Sequence, residues 1–191
     1  HSERYISFLE CAWSEWSALG RNYDALPLVW PVRDLAIDQE PNFIDGKLGF
    51  YSMDAGCPIT AGTWEAVKAS ADTALTACDE IIQKNIKSAF ALCRPPGHHA
   101  AREYMGGYCY LNNAAIAAEY ALTQGFKKVA ILDVDFHHGN GTQNIFYDRD
   151  DVFFASIHGD PKDSYPYFSG FENELGIGAG LGFTANYPLS K

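Results

Sequence analysis

The sequence has no Cys-x-x-Cys pair and no apolar run of about 18 residues, the length of a membrane-spanning helix. The missing cysteine pairs argue against a thiolate metal knuckle. The odd number of cysteines, five, argues against a secreted disulfide framework. We therefore expect a cytoplasmic protein without a spanning helix, whose thiols are reduced and mostly buried.

Basic residues are also scarce. The 14 Lys and Arg residues face 24 Asp and Glu residues, which gives a formal net charge of −10. A chain this acidic repels phosphate backbones, and this disfavours nucleic acid as a partner. The same charge attracts cationic small molecules. The composition is therefore compatible with a cationic ligand, and we expect neither a nucleic-acid nor a membrane partner.

The length of 191 residues and the ordinary globular composition predict a single domain over 1–191. Within it, the spacing of apolar residues over 3–19 predicts an amino-terminal helix that Gly20 ends. Residues 21–62 contain four prolines and read as an irregular rim or interface region. The remainder, 63–191, is predicted to form an α/β core.

Helices and strands alternate in this core. Apolar periodicity predicts helices over 63–84, 113–123 and 141–148, and buried strands over 89–93, 129–132 and 152–157. The tail over 159–187 is rich in Gly, Pro and Tyr and is expected to form a long loop that ends in a short strand at 184–187. Such alternation is typical of right-handed crossovers and a parallel sheet that helices cover on both faces. The predicted fold is therefore a three-layer α/β/α domain with a mainly parallel sheet.

Five of the six histidines lie at or just beyond the ends of predicted strands. They are His98, His99, His137, His138 and His158. Ligands of open parallel sheets bind beyond the carboxyl ends of the strands, so this edge is the predicted site. His158 is interpreted as a buried hydrogen-bonding residue rather than a ligand.

The segment Asp133-Val134-Asp135-Phe136-His137-His138-Gly139-Asn140-Gly141 carries the densest chemistry. In an extended chain, Asp133, Asp135 and His137 share one face. Carboxylates at the end of an apolar strand need a partner, and this oxygen and nitrogen set suits Zn²⁺, Fe²⁺ or Mn²⁺. The alternative is that the two aspartates cap the neighbouring backbone.

The segment Arg94-Pro95-Pro96-Gly97-His98-His99 is a stiff loop that presents two adjacent histidines. Neutral imidazoles held in place are suited to general acid–base work near neutral pH. Asp133 and Asn140 are the candidate partners that set their tautomers. A plain surface turn is the alternative.

Together these segments resemble the zinc-dependent histone deacetylase family, which shares its fold with the arginases. The likeness is greatest to its acetylpolyamine amidohydrolase branch, and it covers most of the chain. The residues that carry it are RPPGHHA (94–100), GGYCYLNNAA (106–115), VAILDVDFHHGNGTQ (129–143), FFASIHGDP (153–161) and TANYP (184–188). It implies a zinc-dependent hydrolase that removes acetyl groups from a cationic amine, such as an acetylpolyamine or an acetyl-lysine-like substrate.

The resemblance implies roles for the catalytic residues. His99 matches the histidine that acts as general base and then as general acid. His98 matches the neighbour that supplies electrostatic stabilisation, with Asp133 as its partner. Asn140 stands where some deacetylases have Asp. An uncharged partner orients the imidazole without favouring its cation.

The resemblance also implies two metal sites. Asp135 and His137 match two of three ligands of zinc, which Fe²⁺ can replace, and the third ligand is expected beyond Lys191. The second site would hold a structural potassium ion. Its ligands, several of them backbone carbonyls, would come from Asp133, Asp135, His137, Ser156 and Ile157.

The resemblance also implies a tunnel for the substrate. Tyr108 would form one aromatic wall and Tyr165 the opposite wall, and Gly107 would let the backbone approach the substrate closely. The polyamine branch commonly dimerises, so a homodimer of the full-length protein is a further expectation. The family's transition-state tyrosine is expected downstream as well. We therefore interpret the chain as truncated at both ends and inactive by itself.

Two other interpretations stay open. One is an arginase-like hydrolase with two manganese ions, which would need more aspartate ligands at the same strand ends. The other is a non-catalytic binding module that keeps the aromatic pocket. Because a sheet cut part-way exposes a strand edge and apolar surface, the isolated chain is also expected to aggregate or to lack fixed packing.

Overall fold

The computed structural model describes residues 1–84 and 86–190. The helices are α1 (Glu3–Ala18), α2 (Ile44–Phe50), α3 (Thr63–Lys84), α4 (Asn113–Thr123) and α5 (Asn140–Phe146), and a short 3-10 turn covers Gly178–Gly180. The strands are β1 (Val129–Asp133), β2 (Val152–Gly159) and β3 (Thr184–Leu189).

The three strands form one parallel sheet in the order β1-β2-β3. Val129 pairs with Val152 at the start of β1, and Asp133 pairs with Ser156 at its end. The connection from β1 to β2 runs through α5, as a parallel crossover requires. The parallel α/β sheet predicted from the sequence is thus confirmed.

The two faces of this sheet differ. Val152 and Phe154 point to the face that α4 and α5 cover, where they are almost fully buried. The alternate side chains point to the opposite face, which is open over the described ranges. The large apolar side chains exposed there are Leu132, Phe153, Ile157, Tyr187 and Leu189. The described residues therefore supply helices to only one side of the sheet.

A second and larger core lies between α1, α2 and the start of α3. In α1, Tyr5, Phe8 and Trp16 recur at helical spacing and are buried, as the sequence predicts. Ser2 caps this helix by accepting a hydrogen bond from the amide of Tyr5 at 3.3 Å. The phenol ring of Tyr51 stacks on Phe8 with ring centroids 4.6 Å apart.

Two secondary-structure predictions are wrong. Residues 89–93 form no strand, and Phe90 and Leu92 are 87% and 80% exposed. An apolar run becomes a strand only where a neighbouring edge offers a hydrogen-bonding ladder, and no described strand pairs with it. Residues 21–62 are not irregular throughout, because α2 forms at 44–50 and buries Leu48.

The prediction that the cysteine thiols are mostly buried is wrong for three of the five cysteines. All five cysteines are unpaired, but only Cys57 and Cys109 are buried, and Cys11 is exposed. Burial raises the pKa of the Cys109 thiol to about 12. Among the helices of the described ranges, none is both long enough and apolar enough to cross a membrane.

Candidate active site

The loop that carries His98 and His99 is fastened to the start of α5. The amides of Gly141 and Thr142 donate to the carbonyl of His98 at 2.9 and 3.1 Å. The Asn112 side chain donates to the carbonyl of Ala100 at 3.0 Å. The first two bonds join the loop after residue 93 to the start of α5, although over 40 residues separate them in the chain, and the third joins it to the residue that caps α4.

Each histidine of the tandem pair has its own partner. Nδ1 of His98 lies 2.9 Å from Oδ2 of Asp133, and Nδ1 of His99 lies 2.7 Å from Oδ1 of Asn140. A carboxylate and an amide oxygen only accept hydrogen bonds, so in both rings Nδ1 carries the proton and donates. In the neutral form of either ring, this tautomer leaves the lone pair on Nε2. Their centroids are 4.0 Å apart.

A glycine makes the contact between His98 and Asp133 possible. A Cβ atom at Gly139 would stand 2.3 Å from Oδ2 of Asp133 and 3.3 Å from Nδ1 of His98. No side chain fits at that distance. The glycine of the His-His-Gly segment therefore lets the loop after β1 close against the histidine loop.

Burial separates the two tandem histidines. His99 is only 3% exposed, and burial together with the neighbouring His98 lowers its pKa to about 4. His99 is thus neutral at physiological pH. Burial by itself would raise the pKa of Asp133, but the hydrogen bond and charge of His98 outweigh it, and that pKa lies below its ordinary value.

Asp135 and His137 lie together in the loop beyond β1. Oδ1 of Asp135 is 3.4 Å from Nδ1 of His137 and 3.9 Å from Nε2 of His98. The shared extended face predicted for Asp133, Asp135 and His137 is wrong in one respect, because β1 ends at Asp133 and the other two follow in a turn.

The two aspartates also cap backbone amides, which is the alternative that the sequence left open. Asp133 accepts from the amide of Asp135 at 3.1 Å, and Asp135 accepts from the amide of His137 at 2.8 Å. Within the described ranges, no three or more His, Cys, Asp or Glu side chains are grouped as a metal site. The third ligand predicted beyond Lys191 lies outside the described residues.

His138 and His158 lie behind this cluster and are only 1% exposed. Nε2 of His158 donates to the carbonyl of Gly170 at 2.9 Å, and Nδ1 accepts from the hydroxyl of Ser156 at 2.8 Å. His158 is therefore the buried hydrogen-bonding residue that the sequence predicts. Ser156 is fully buried and Ile157 is partly exposed, and their roles at potassium stay predictions.

The predicted tunnel residues flank the histidines. Tyr108 is 69% exposed and has a positive φ of 67°. The ring of Tyr165 meets His99 edge-on, with centroids 4.9 Å apart. Gly107 lies between them, and a Cβ atom there would be 2.3 Å from the His99 ring. The structure therefore brings all three residues to one place, while their contact with a substrate stays a prediction.

Sequence reasoning missed Asp54 and Tyr104. Asp54 accepts a hydrogen bond from the Tyr165 hydroxyl, and the Tyr104 hydroxyl lies 3.4 Å from the Asn140 amide nitrogen. Both line a cavity of about 500 Å³ behind Tyr165. Neither residue lies in a motif with recognisable spacing, so only the folded chain reveals these contacts.

Comparison with known proteins agrees with this geometry. The family model described as "Histone deacetylase domain" matches residues 1–191. The chain belongs to this family. Its members are metal-dependent hydrolases, and zinc is their typical metal.

Individual relatives are more specific. The chain is 59% identical over 190 residues to acetylpolyamine amidohydrolase 2 of Pseudomonas aeruginosa, and 51% identical over 191 residues to an acetylpolyamine amidohydrolase of Mycoplana ramosa. Each match covers 100% of this chain and 55% of the relative. The crystal structure of an acetylpolyamine aminohydrolase from Burkholderia pseudomallei superimposes with a TM-score of 0.90 at 42% identity, covering 100% of this chain and 54% of that one. The chain thus spans about half the length of the curated relatives it matches.

Proposed function

We propose that the whole protein hydrolyses the amide bond of acetylated amines, with acetylpolyamines as the substrate class. One observation carries the proposal. Two adjacent histidines, each oriented by a separate partner, lie beside the carboxylate and imidazole of Asp135 and His137. The names of the relatives support the same substrate class.

The donor set of this chain fits part of a zinc site. Asp135 and His137 are about half exposed, and they offer one carboxylate and one imidazole within 3.4 Å of each other. These donors suit Zn²⁺ or Fe²⁺, and a further ligand is needed for a closed site. A bound metal would act as a Lewis acid toward the acetyl carbonyl and toward water. The potassium site proposed from the family resemblance would share Asp133, Asp135 and His137.

His99 would move the protons. As water adds to the acetyl carbonyl carbon, Nε2 of the neutral His99 ring would accept the proton that the water releases. The same proton would pass to the amine nitrogen as the carbon–nitrogen bond breaks, which gives acetate and the free amine. Asn140 would keep Nδ1 protonated throughout, and so hold the Nε2 lone pair ready.

His98 would have a different role. Its Nδ1–H donates to the Asp133 carboxylate, which stabilises a positive charge on the ring better than the Asn140 amide does for His99. We therefore assign His98 to electrostatic stabilisation and to holding the water. Asp133 and Asn140 would thus give different roles to two side chains of the same type, His98 and His99.

The expected substrate is an aliphatic amine with a distal positive charge. Tyr108 and Tyr165 would contact the apolar stem. The net charge of −10 would favour a cationic ligand. The proposal that the full-length protein forms a homodimer rests on the family resemblance alone.

The test is an acetate-release assay on the whole protein, with mono-acetylated linear diamines compared with acetyl-lysine peptides. We expect zinc-dependent turnover, with a higher kcat/KM for the diamines, and one zinc ion per chain. Two manganese ions per chain would favour the arginase-like alternative. Absence of turnover with every acylated amine, in a folded protein with its metal, would refute the proposal.

The 191-residue chain serves as the matched comparison. With excess zinc it is expected to release no acetate, because its described residues offer two ligands where a catalytic zinc site needs three. Measurable zinc-dependent turnover by this chain would show that one of its own groups, such as Asp160, completes the site.

A further inference from the structure

Asp54 lies where three separate segments meet: its own loop after α2, the turn that carries Tyr108, and the loop that carries Tyr165. We propose that Asp54 is a positioning residue that fixes the spacing of these two aromatic side chains, and thereby the width of the substrate entrance. This inference rests on the proposed function, since it assigns the entrance to that site.

The Asp54 carboxylate makes three contacts. Oδ1 accepts from the amide of Gly56 at 2.7 Å, which bends its own loop around the carboxylate. Oδ2 accepts from the amide of Gly107 at 3.0 Å and from the hydroxyl of Tyr165. Hydrogen bonds to an ionised carboxylate are about twice as strong as bonds between neutral groups, so one side chain ties three segments together.

The contact with Gly107 sets the turn of Tyr108. Gly107 has a positive φ of 51°, and a Cβ atom there would be 2.3 Å from the His99 ring and 2.9 Å from the Tyr165 hydroxyl. The turn therefore lies directly against both neighbours. Tyr108 is the next residue in the chain. The hydrogen bond that holds the Gly107 amide therefore also fixes the backbone position from which the exposed Tyr108 ring extends.

The contact with Tyr165 sets the opposite side. The Tyr165 ring meets His99 and His137 edge-on, at interplanar angles of 87° and 83° and centroid distances of 4.9 and 5.7 Å. The hydroxyl at the far end of the ring is held by Asp54. The ring is thus held at one end by the carboxylate and along its length by two imidazoles.

Losing the carboxylate would release both sides together. The Gly107 amide and the Tyr165 hydroxyl would each lose an acceptor, and the two phenol rings could move apart. The rings contact the stem of the substrate rather than the bond that breaks. The effect should therefore fall mainly on KM and much less on kcat.

The first experiment compares Asp54→Asn with Asp79→Asn in the whole protein. Asp79 is the matched control, because it also accepts a tyrosine hydroxyl, that of Tyr120 at 2.6 Å, on the surface between α3 and α4. We expect Asp54→Asn to raise KM for an acetylated diamine about tenfold, with kcat within about threefold of wild type. Asp79→Asn should leave both constants unchanged. A KM for Asp54→Asn equal to that of Asp79→Asn would overturn the proposal.

A second measurement needs no substrate. Amide hydrogen exchange at Gly107 should become about tenfold faster in Asp54→Ala and stay unchanged in Asp79→Ala, since only the first change removes its acceptor. Unchanged exchange in Asp54→Ala would refute the positioning role. If the wild-type protein cleaves no acylated amine, the proposed function fails. The exchange result would still show whether Asp54 fixes the Gly107 amide.

A third arm isolates the hydroxyl. Tyr165→Phe keeps the ring and should raise KM about threefold, whereas Tyr120→Phe should have no effect. In the double variant Asp54→Ala/Tyr165→Phe, KM should rise no further than in Asp54→Ala, because both changes break the same contact. Fully additive effects would contradict the proposal. Tyr165→Phe also keeps the test decisive if Asp54→Asn does not fold.

Discussion

Two pairs of histidines lie at the same edge of the sheet, and they differ in almost everything except proximity. The rings of His98 and His99 are 4.0 Å apart, and those of His138 and His158 are 4.6 Å apart. The first pair faces the candidate site beside Asp135 and His137. The second pair lies beneath it among buried polar groups. A position beyond the end of a strand is therefore not sufficient to give a histidine a catalytic role.

The difference lies in how the ring nitrogens are used. His158 uses both nitrogens for internal hydrogen bonds, to Gly170 and Ser156. His138 bonds Gln143 through Nε2, and its Nδ1 is fully buried with no hydrogen-bond partner among the described residues. His98 and His99 each use only Nδ1, with Asp133 and Asn140 as partners. The second nitrogen is then available for a ligand or a proton.

A shifted pKa does not separate the pairs. Burial and the neighbouring His158 lower the pKa of His138 to about 3, and burial and His98 lower the pKa of His99 to about 4. Both residues are neutral at pH 7. What distinguishes His99 is that its neutral ring borders Gly107 and Tyr165, next to the proposed substrate entrance.

The largest effect is expected at His99. His99→Ala in the whole protein should lower kcat about a thousandfold, because the proton of the attacking water loses its acceptor. Bound zinc, measured by metal analysis, should remain at the wild-type level, since His99 is not a proposed ligand. Near-normal turnover in this variant would remove His99 from the role of base.

A change in the second pair should act on stability. His158→Ala should lower the free energy of unfolding of the whole protein by about 3 kcal/mol. The change leaves a cavity, and the Ser156 hydroxyl and the Gly170 carbonyl lose their hydrogen-bond partner. Urea unfolding in the presence of a chelator measures this loss. His137→Ala is the control, and under the same metal-free conditions it should cost within about 0.5 kcal/mol, as the ring is 44% exposed. A loss for His158→Ala as small as the one expected for His137→Ala would mean that the second pair is not structural.

The smallest effect sharpens the contrast within the first pair. Asn140→Asp would give His99 an anionic partner like that of His98. A negative charge favours the imidazolium, so the pKa of His99 should rise and the ring should stay protonated to higher pH. The acidic limb of kcat/KM should therefore move upward by about one pH unit, as a pH–rate profile would measure. An unmoved or lowered limb would contradict the proposed role of the amide partner.

Local patterns predicted much of the fold. The amphipathic spacing in α1 and α3 and the apolar runs of β1 and β2 were sufficient, because each element buries a face that its own residues define. The prediction for 89–93 was wrong because a strand needs a neighbouring edge, and residue spacing says nothing about that edge. The helix α2 was missed because only seven residues form it.

The candidate site shows the same division. The sequence predicts Asp133 and Asn140 as partners of the histidines because they lie at or beyond the end of β1, at the same edge of the sheet. The contact of Asp54 with Tyr165 had no such signal, since the two residues are 111 positions apart and belong to no shared motif.

The sequence by itself determined the parallel sheet, the family and the residue types at the candidate site, because periodicity and motif spacing are properties of the chain. The tertiary structure alone decided which histidines became buried and which kept a free nitrogen. It also decided that one carboxylate joins the two aromatic sides of the entrance. Burial and hydrogen-bond partners depend on residues that are distant in the chain, and only folding brings those residues together.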